Sequence, residues 1–261
     1  MSAKARLELT HGGRVARLVL AAPKANILDG EMMAGLSAHC AALRGRRDLA
    51  AVVIAADGPH FSFGASVEEH LPDRIGGALG ALHQLLRDLV DLPAPTLVAV
   101  RGQCLGGALE LALACDIIVA EEGAQLGCPE IKLGVFPPAA SALLPLRVGL
   151  ARATAWMLTG DSIAARDALA SGLVARVAPA GGLDAMTDEW LQQAFLSRSG
   201  AALRIAADVL RRDVRRALDG PLAEAERVYL DRLMQEPDAV EGIRAFLEKR
   251  APRWQDGTDP G

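Results

Sequence analysis

The sequence predicts an α/β fold, and three observations carry that prediction. Short β-branched runs recur through the earlier part of the chain, helical patterns lie between them, and from about residue 184 only helical patterns remain. The length of 261 residues, 51% of them hydrophobic, is enough for one large domain or for one domain with an appendage. Val15 to Leu20, Ala51 to Ala56, Thr96 to Val100, Ile117 to Ala120 and Val174 to Val177 read as strands with turn signals between them. Helical spacing covers about 31–45, 79–91, 106–114 and 149–158. The later segments MTDEWLQQAFLSR, AALRIAADVLRRDVRRAL, PLAEAERVYLDRLM and DAVEGIRAFLEKR are helical with brief breaks. The chain thus divides into a core over 1–198 and a C-terminal helical region over 199–261. Such a region either packs back on the core or supplies an oligomer interface. The closing QDGTDPG reads as a frayed polar tail.

Composition narrows the function. A net charge of -4 with scattered charges gives no electrostatic footprint for nucleic acid, although a local patch can still hold a phosphorylated ligand. Apolar stretches are interrupted by charge, glycine or proline well short of the ~18 to 20 residues of a membrane span. The amino terminus carries no signal-like apolar core, so the expected location is the cytoplasm. Cys40, Cys104, Cys115 and Cys128 form no CxxC pair and read as reduced core residues. No GxGxxG, Walker or GxSxG pattern is present, and no His/Cys/Asp group has metal-ligand spacing; neither metal nor cofactor is expected.

Glu110 is the residue that demands explanation. It is the one carboxylate in RGQCLGGALELALAC, and burying an ionised carboxylate without a partner costs several kcal/mol or drives its pKa upward. A helix-edge ion pair with an arginine is the ordinary explanation. Against it stand the paired Gly106 and Gly107, the tight apolar flanks and a second isolated acid, Glu130, in AQLGCPEIKLGVFPP, where Lys132 is the nearby cation. Glycines opening a helix leave free N–H groups that a substrate oxygen can approach closely, or they serve only close strand-to-helix packing. The loop HFSFGASVEEH, residues 60–70, offers a second set of backbone donors around Ala65, though alone it reads only as a loop. If both glutamates face one cavity, burial and repulsion raise and separate their pKa values, which suits acid and base work.

The ordered set FxxGAxxxE, RGxxxGGxxELALxCDI, AxxxxPEIKLGxxP, TG near 160, GLV at 172–174 and a closing FLEKR resembles the crotonase, or enoyl-CoA hydratase and isomerase, superfamily over nearly the whole chain. The resemblance implies a spiral of ββα repeats, C-terminal helices that build a homotrimer or a dimer of trimers, and stabilisation of a coenzyme A thioester enolate. It places the oxyanion donors at the amides of Ala65 and Gly107 and the catalytic acids at Glu110 and Glu130. Glu110 then helps to activate water and Glu130 handles the proton delivered to carbon. Substrate contacts fall at Lys24, Ala25, Ser66, Val67, Glu68, Pro138, Ser141 and Lys249, with Lys24 and Lys249 toward the nucleotide end. Coenzyme A belongs to the substrate, so no separate cofactor is implied.

The chain departs from the family after Glu130. A PGAGGTQRL-like segment is typical there, whereas this sequence reads Pro137-Pro138-Ala139-Ala140-Ser141-Ala142-Leu143-Leu144-Pro145, and Pro138 has no N–H to offer. Ser66 stands where many members have aspartate. HFSFGASVEEHLPD, RGQCLGGALE, PEIKLGVFPPAAS and PKANILD resemble the cyclohexa-1,5-diene-1-carbonyl-CoA hydratases of anaerobic benzoyl-CoA breakdown. The expected activity is therefore a hydro-lyase reaction giving 6-hydroxycyclohex-1-ene-1-carbonyl-CoA. A general 2-enoyl-CoA hydratase or enoyl-CoA isomerase is the alternative within enzymes. A non-catalytic acyl-CoA-binding or RNA-binding protein of the same fold is the alternative outside them, disfavoured by both glutamates and by the acidic charge.

Other polar residues carry plainer expectations. Arg204, Arg211, Arg212, Arg215 and Arg216 read as a solvated helix face, with capture of coenzyme A phosphates as the alternative. His60, His70 and His83 read as surface histidines. Ser141 either points into the pocket or caps a helix.

Overall fold

The computed structural model describes residues 3–255, so the polar tail beyond Gln255 and the extreme ends of the two expected regions lie outside the described residues. The chain begins with an antiparallel hairpin of β1 (Ala5–Thr10) and β2 (Val15–Leu20), a strand pair of which only the second is foreseen from sequence. Then follow α1 (Gly30–Leu43), β3 (Ala51–Ala56), α2 (Ile75–Val90), β4 (Thr96–Val100), β5 (Gln103–Leu105), α3 (Gly107–Ala114), β6 (Ile117–Glu121) and β7 (Gln125–Gly127). Next come α4 (Pro138–Val148), α5 (Leu150–Thr159), β8 (Ile163–Ala164), α6 (Ala165–Ala170) and β9 (Arg176–Ala178). The C-terminal helices are α7 (Leu183–Trp190), α8 (Gly200–Leu210), α9 (Arg212–Asp219), α10 (Pro221–Asp231) and α11 (Pro237–Leu247).

The larger sheet has the order β1-β2-β3-β4-β6-β9, parallel from β2 onward, and the smaller has the order β5-β7-β8. Both faces of the larger sheet are covered. Val52, Ile54, Val98 and Val100 face the main core with α1 and α2, while Val53, Ala55 and Leu97 pack against Leu191 and Phe195 after α7. A parallel sheet buried on both sides reads as unbroken apolar runs, which is why these strands stand out in the sequence. The expected Val174 to Val177 strand is shifted to β9. Helix α4 is the element least visible from sequence, because Pro137, Pro138 and an internal Pro145 break the helical signal.

The connections follow a repeating path. A strand of the large sheet leads to a short strand or bridge in the second layer and then to a helix: β3, a bridge at Ser62 and α2; β4, β5 and α3; β6, β7 and the helices beyond. Ser62 pairs with Cys104, and Cys104 in turn with Leu126. Each turn of this spiral is thus held in register with the next, and the residues just past each short strand, Ala65, Gly107 and Glu130, emerge at the same end of the stack.

The C-terminal helices return to the core. Ala217, Leu218 and Leu222 join the main cluster, while Tyr229, Met234, Ala239 and Ile243 pack with Ile75, Leu79 and Val135. The long helix expected across AALRIAADVLRRDVRRAL is interrupted at Arg211. The physical reason also corrects the solvated-face reading for this residue: Arg211 is 4% exposed and turned inward. Its guanidinium donates to both carboxylate oxygens of Asp116, at 2.8 and 2.6 Å, and to the carbonyls of Val90, Leu92 and Ala94. Asp116 also accepts from the Thr96 amide at 2.7 Å. Arg212 and Arg216 do lie in solvent.

Removing one partner of such a buried pair leaves a charge and several carbonyls unsatisfied. Arg211→Met should lower unfolding stability in urea by about 3 to 5 kcal/mol, and Arg211→Lys should restore little of it because lysine lacks the planar fork of donors. A change below ~1 kcal/mol in Arg211→Met would rule out this clamp.

Candidate active site

Glu110 lies in the first turn of α3, 3% exposed. Its Oε1 accepts a hydrogen bond from the Ala140 amide at 2.8 Å, in the first turn of α4, where the N–H groups have no partners within the helix. Arg147, at the far end of α4, donates to the carbonyls of Leu113 and Cys115 at the end of α3. The two helices therefore lie with their starts together and their ends together, and this fixes the carboxylate of Glu110 at the head of α4. Its isolation in sequence is resolved by backbone amides and not by an arginine.

Glu130 sits in a 3-10 turn, Pro129–Leu133, directly after β7. Gly106 has a φ of 54°, and a Cβ there would overlap Glu130 Oε1, so glycine is required both for the backbone and for the space the carboxylate occupies. Glu130 Oε2 is buried with no hydrogen-bond partner in the protein.

Electrostatics separate the two acids. Burial pushes Glu110 up to about 7, opposed by the amides of Ala140 and Ala139. Burial and then repulsion from Glu110 push Glu130 up to about 8. Both acids are thus held toward the protonated form, and the Ala140 amide favours the charge on Glu110 while Glu130 Oε2 has no such donor.

The amides of Ala65 and Gly107 lie beside each other, since a Cβ on Gly107 would stand 3.3 Å from the Ala65 nitrogen. Among the described residues neither amide donates to a protein acceptor. The approach also depends on Gly64, which has a φ of 93° and where a Cβ would come within 2.5 Å of the Leu105 carbonyl oxygen.

Two adjoining cavities meet at Ala65, His70 and Glu130. The inner one, about 20 Å³, lies between Glu110, Glu130, Gly107, Pro138 and Tyr229. That is room for a single water, which needs roughly 10–15 Å³. The outer one, about 840 Å³, has apolar walls that include Ile27, Phe63, Leu133 and Phe246. Its size suits a large organic ligand.

The structure distributes the sequence-derived candidates between these cavities. Glu110, Glu130, Ala65, Gly107 and Pro138 line the inner one, whereas Ala25, Ser66, Val67 and Glu68 line the outer. Lys24 and Lys249 are exposed and line neither cavity; Lys132 and Arg250 stand on the outer wall. Ser141 also lines neither, and it does not cap α4: its hydroxyl donates to the Pro138 carbonyl at 2.6 Å.

Three histidines read as surface residues have more definite settings. His83 is buried, with Nδ1 2.5 Å from Glu226 Oε2. His70 lines both cavities and burial holds its pKa below the ordinary value, and His60 is half-buried against the Phe63 ring edge. The cysteines are free and buried, and burial raises every one of their thiols, so all four are poor nucleophiles. Tyr229 and Phe136 went unnoticed in the sequence because each occupies an ordinary apolar position, and only packing turns them toward the acids.

Both carboxyls have folded-state pKa values above the ordinary value of 4.5. Between that value and about 8 the folded protein holds more protons than the unfolded chain, so the pair lowers stability progressively as pH rises through this window. The double variant Glu110→Gln/Glu130→Gln should therefore lose part of the wild-type decline in thermal midpoint between pH 5 and pH 9, and should be the more stable protein at the upper end. An unchanged pH slope would refute the raised values.

The family model for enoyl-CoA hydratase/isomerase matches residues 10–257. A cyclohexa-1,5-dienecarbonyl-CoA hydratase from Thauera aromatica is 43% identical over 254 residues, covering 97% of this chain and 98% of that protein. A probable enoyl-CoA hydratase from Mycobacterium bovis is 34% identical over 245 residues, or 92% and 94% of the two chains. The crystal structure of an enoyl-CoA hydratase from Mycobacterium avium subsp. paratuberculosis superposes with a TM-score of 0.87 at 28% identity, covering 98% of this chain and 100% of that one. With two buried acids beside two free amides at the end of a stacked spiral, this chain belongs to the enoyl-CoA hydratase/isomerase family.

Proposed function

We propose that the protein is a hydro-lyase that adds water to a conjugated acyl-CoA thioester, with cyclohexa-1,5-diene-1-carbonyl-CoA as substrate and 6-hydroxycyclohex-1-ene-1-carbonyl-CoA as product, in anaerobic benzoyl-CoA degradation. The observation that carries the hydratase reading is the inner cavity: two buried carboxyls, one held by a backbone amide and the other with an oxygen free of protein donors, enclose the space of one water beside a pair of unpaired amides.

The geometry implies the following reaction. The thioester carbonyl accepts hydrogen bonds from the Ala65 and Gly107 amides, and a donor of this kind is worth ~3 kcal/mol once negative charge develops on that oxygen. Glu110, as carboxylate, takes a proton from water as the water oxygen bonds to a β carbon. Electrons move to the thioester oxygen, giving a dienolate. Glu130, as the acid, then protonates the γ carbon of the other arm, and the charge returns from the oxygen to form a conjugated alkene. Proton exchange between the two acids through solvent restores the starting state.

Support for the cyclic diene comes from the 43% identical Thauera relative and from the wall after Glu130. In a ring the oxygen and the proton end on carbons opposite each other, whereas a linear enoyl thioester receives them on neighbours. Pro137 and Pro138, which offer no N–H, form the part of the inner wall where that difference in reach would be set. The outer cavity would hold the pantetheine arm, with Lys24, Lys132 and Lys249 near the nucleotide end, and the coenzyme A moiety that the substrate brings suffices without a further cofactor. A homotrimer or dimer of trimers fits the exposed Leu150, Leu158, Ile205 and Leu210. Among the described residues no helix is long and apolar enough to cross a membrane. A cytoplasmic location is part of the same proposal.

Turnover of the cyclic diene and crotonyl thioesters side by side tests the reading. Hydration of the diene should be the faster, and Glu110→Gln or Glu130→Gln should each reduce it by at least 100-fold while thioester binding persists. Binding of both thioesters without turnover of either would sink the proposal. Pro138→Gly should reduce the ratio of diene to crotonyl turnover; rates unaffected for both would remove the assigned role of that wall.

A further inference from the structure

Tyr229 is the single tyrosine of the chain, and its side chain is 1% exposed. It reaches the inner cavity from α10, far in sequence from both acids. Its hydroxyl makes no hydrogen bond within the protein, and neither does Glu130 Oε2 on the same cavity. A buried hydroxyl in that condition is costly, and phenylalanine would fill the same space without the cost. The ring is nonetheless held firmly. Phe136 meets it edge-on at 5.4 Å between centroids, and one turn earlier on α10 Glu226 pairs with His83 of α2.

The chemistry of the cavity makes this hydroxyl useful. Of its other polar side chains, Glu110 and Glu130 are the acid and base pair, and His70 Nδ1 lies 2.8 Å from the Ser66 carbonyl and so donates there. Pro137 and Pro138 contribute no N–H. The phenol is therefore the remaining side-chain donor. Burial and both carboxylates hold its pKa above the ordinary value, so it keeps its proton.

We propose that Tyr229 is a third catalytic group of the hydration site, whose O–H donates a hydrogen bond to the oxygen that adds to the acyl group and that the product carries as its hydroxyl. This rests on the hydratase reading and deepens it. The bond orients a lone pair of the water toward carbon while Glu110 takes the proton, and in the reverse direction it stabilises the departing oxygen. Tyr229 itself returns unchanged, so no proton is gained or lost.

Tyr229→Phe removes one oxygen with no protein partner. The expected result is a kcat at least tenfold lower with KM within twofold and a thermal midpoint equal to or above wild type. A residue that only fills space would give the same stability with unchanged kcat, and that outcome overturns the proposal. Binding supplies a readout free of turnover: in a Glu110→Gln background, Tyr229→Phe should weaken 3-hydroxybutyryl-CoA at least fivefold and leave butyryl-CoA unaffected. Equal affinities, or equal loss for both thioesters, also overturn it. If wild type hydrates neither the cyclic diene nor crotonyl-CoA, the hydratase reading fails, and the binding pair alone decides whether Tyr229 recognises a hydroxyl.

Discussion

Stacked register is the constraint on which the site depends. Ser62 pairs with Cys104 and Cys104 with Leu126, so three successive turns of the chain are tied strand to strand. Ala65, Gly107 and Glu130 each follow one of those positions closely, and a slip of one residue in any pairing would turn a functional group away from the others. The amides of Ala65 and Gly107 could not be brought side by side by local structure alone. Gly64 and Gly106, both with positive φ, let the turns approach at the crossing points where a side chain would collide with the neighbouring turn.

Within that frame the acids are kept in a setting that opposes their charge. Glu110 is partly compensated by the amides at the start of α4, while Glu130 has one oxygen without any protein donor. The difference in hydrogen bonding favours the charge on Glu110, while burial holds both carboxyls toward the protonated form. A site built this way lowers stability as it ionises, a common cost of functional sites. The surrounding core supplies the compensation, with α3 buried along its whole length.

The C-terminal helices complete both cavities and do not merely decorate the core. Tyr229 from α10 closes the inner space, while Gly242, Phe246 and Leu247 of α11 wall the outer one. Arg211 secures the beginning of this return path. Its contacts with Asp116 and with the carbonyls of residues 90–94 join the C-terminal helices to the loops flanking β4 and β6. Damage at Arg211 is thus connected to the site through the placement of α9 and α10, although its hydrogen-bond partners Val90, Leu92, Ala94 and Asp116 line neither cavity.

Sequence by itself determined the α/β class, the central strands and the two acids. Those features are written locally: buried parallel strands are apolar runs, and an acid in an apolar helix beside paired glycines is conspicuous because its burial is so costly. The ordered motifs also identified the family, since their spacing is preserved along one dimension. Tertiary structure alone decided which groups meet. Arg211 looked like its solvated neighbours, His83 like a surface residue, and Tyr229 like one apolar position in an amphipathic helix, because a residue's type and spacing do not reveal what packs against it from a distant part of the chain. Proline hid α4, whose first amides nonetheless hold Glu110. Hydrogen-bond partners, desolvation and cavity volume arise from contacts between distant segments, and those are the quantities that bring two glutamates isolated in sequence onto one small buried cavity.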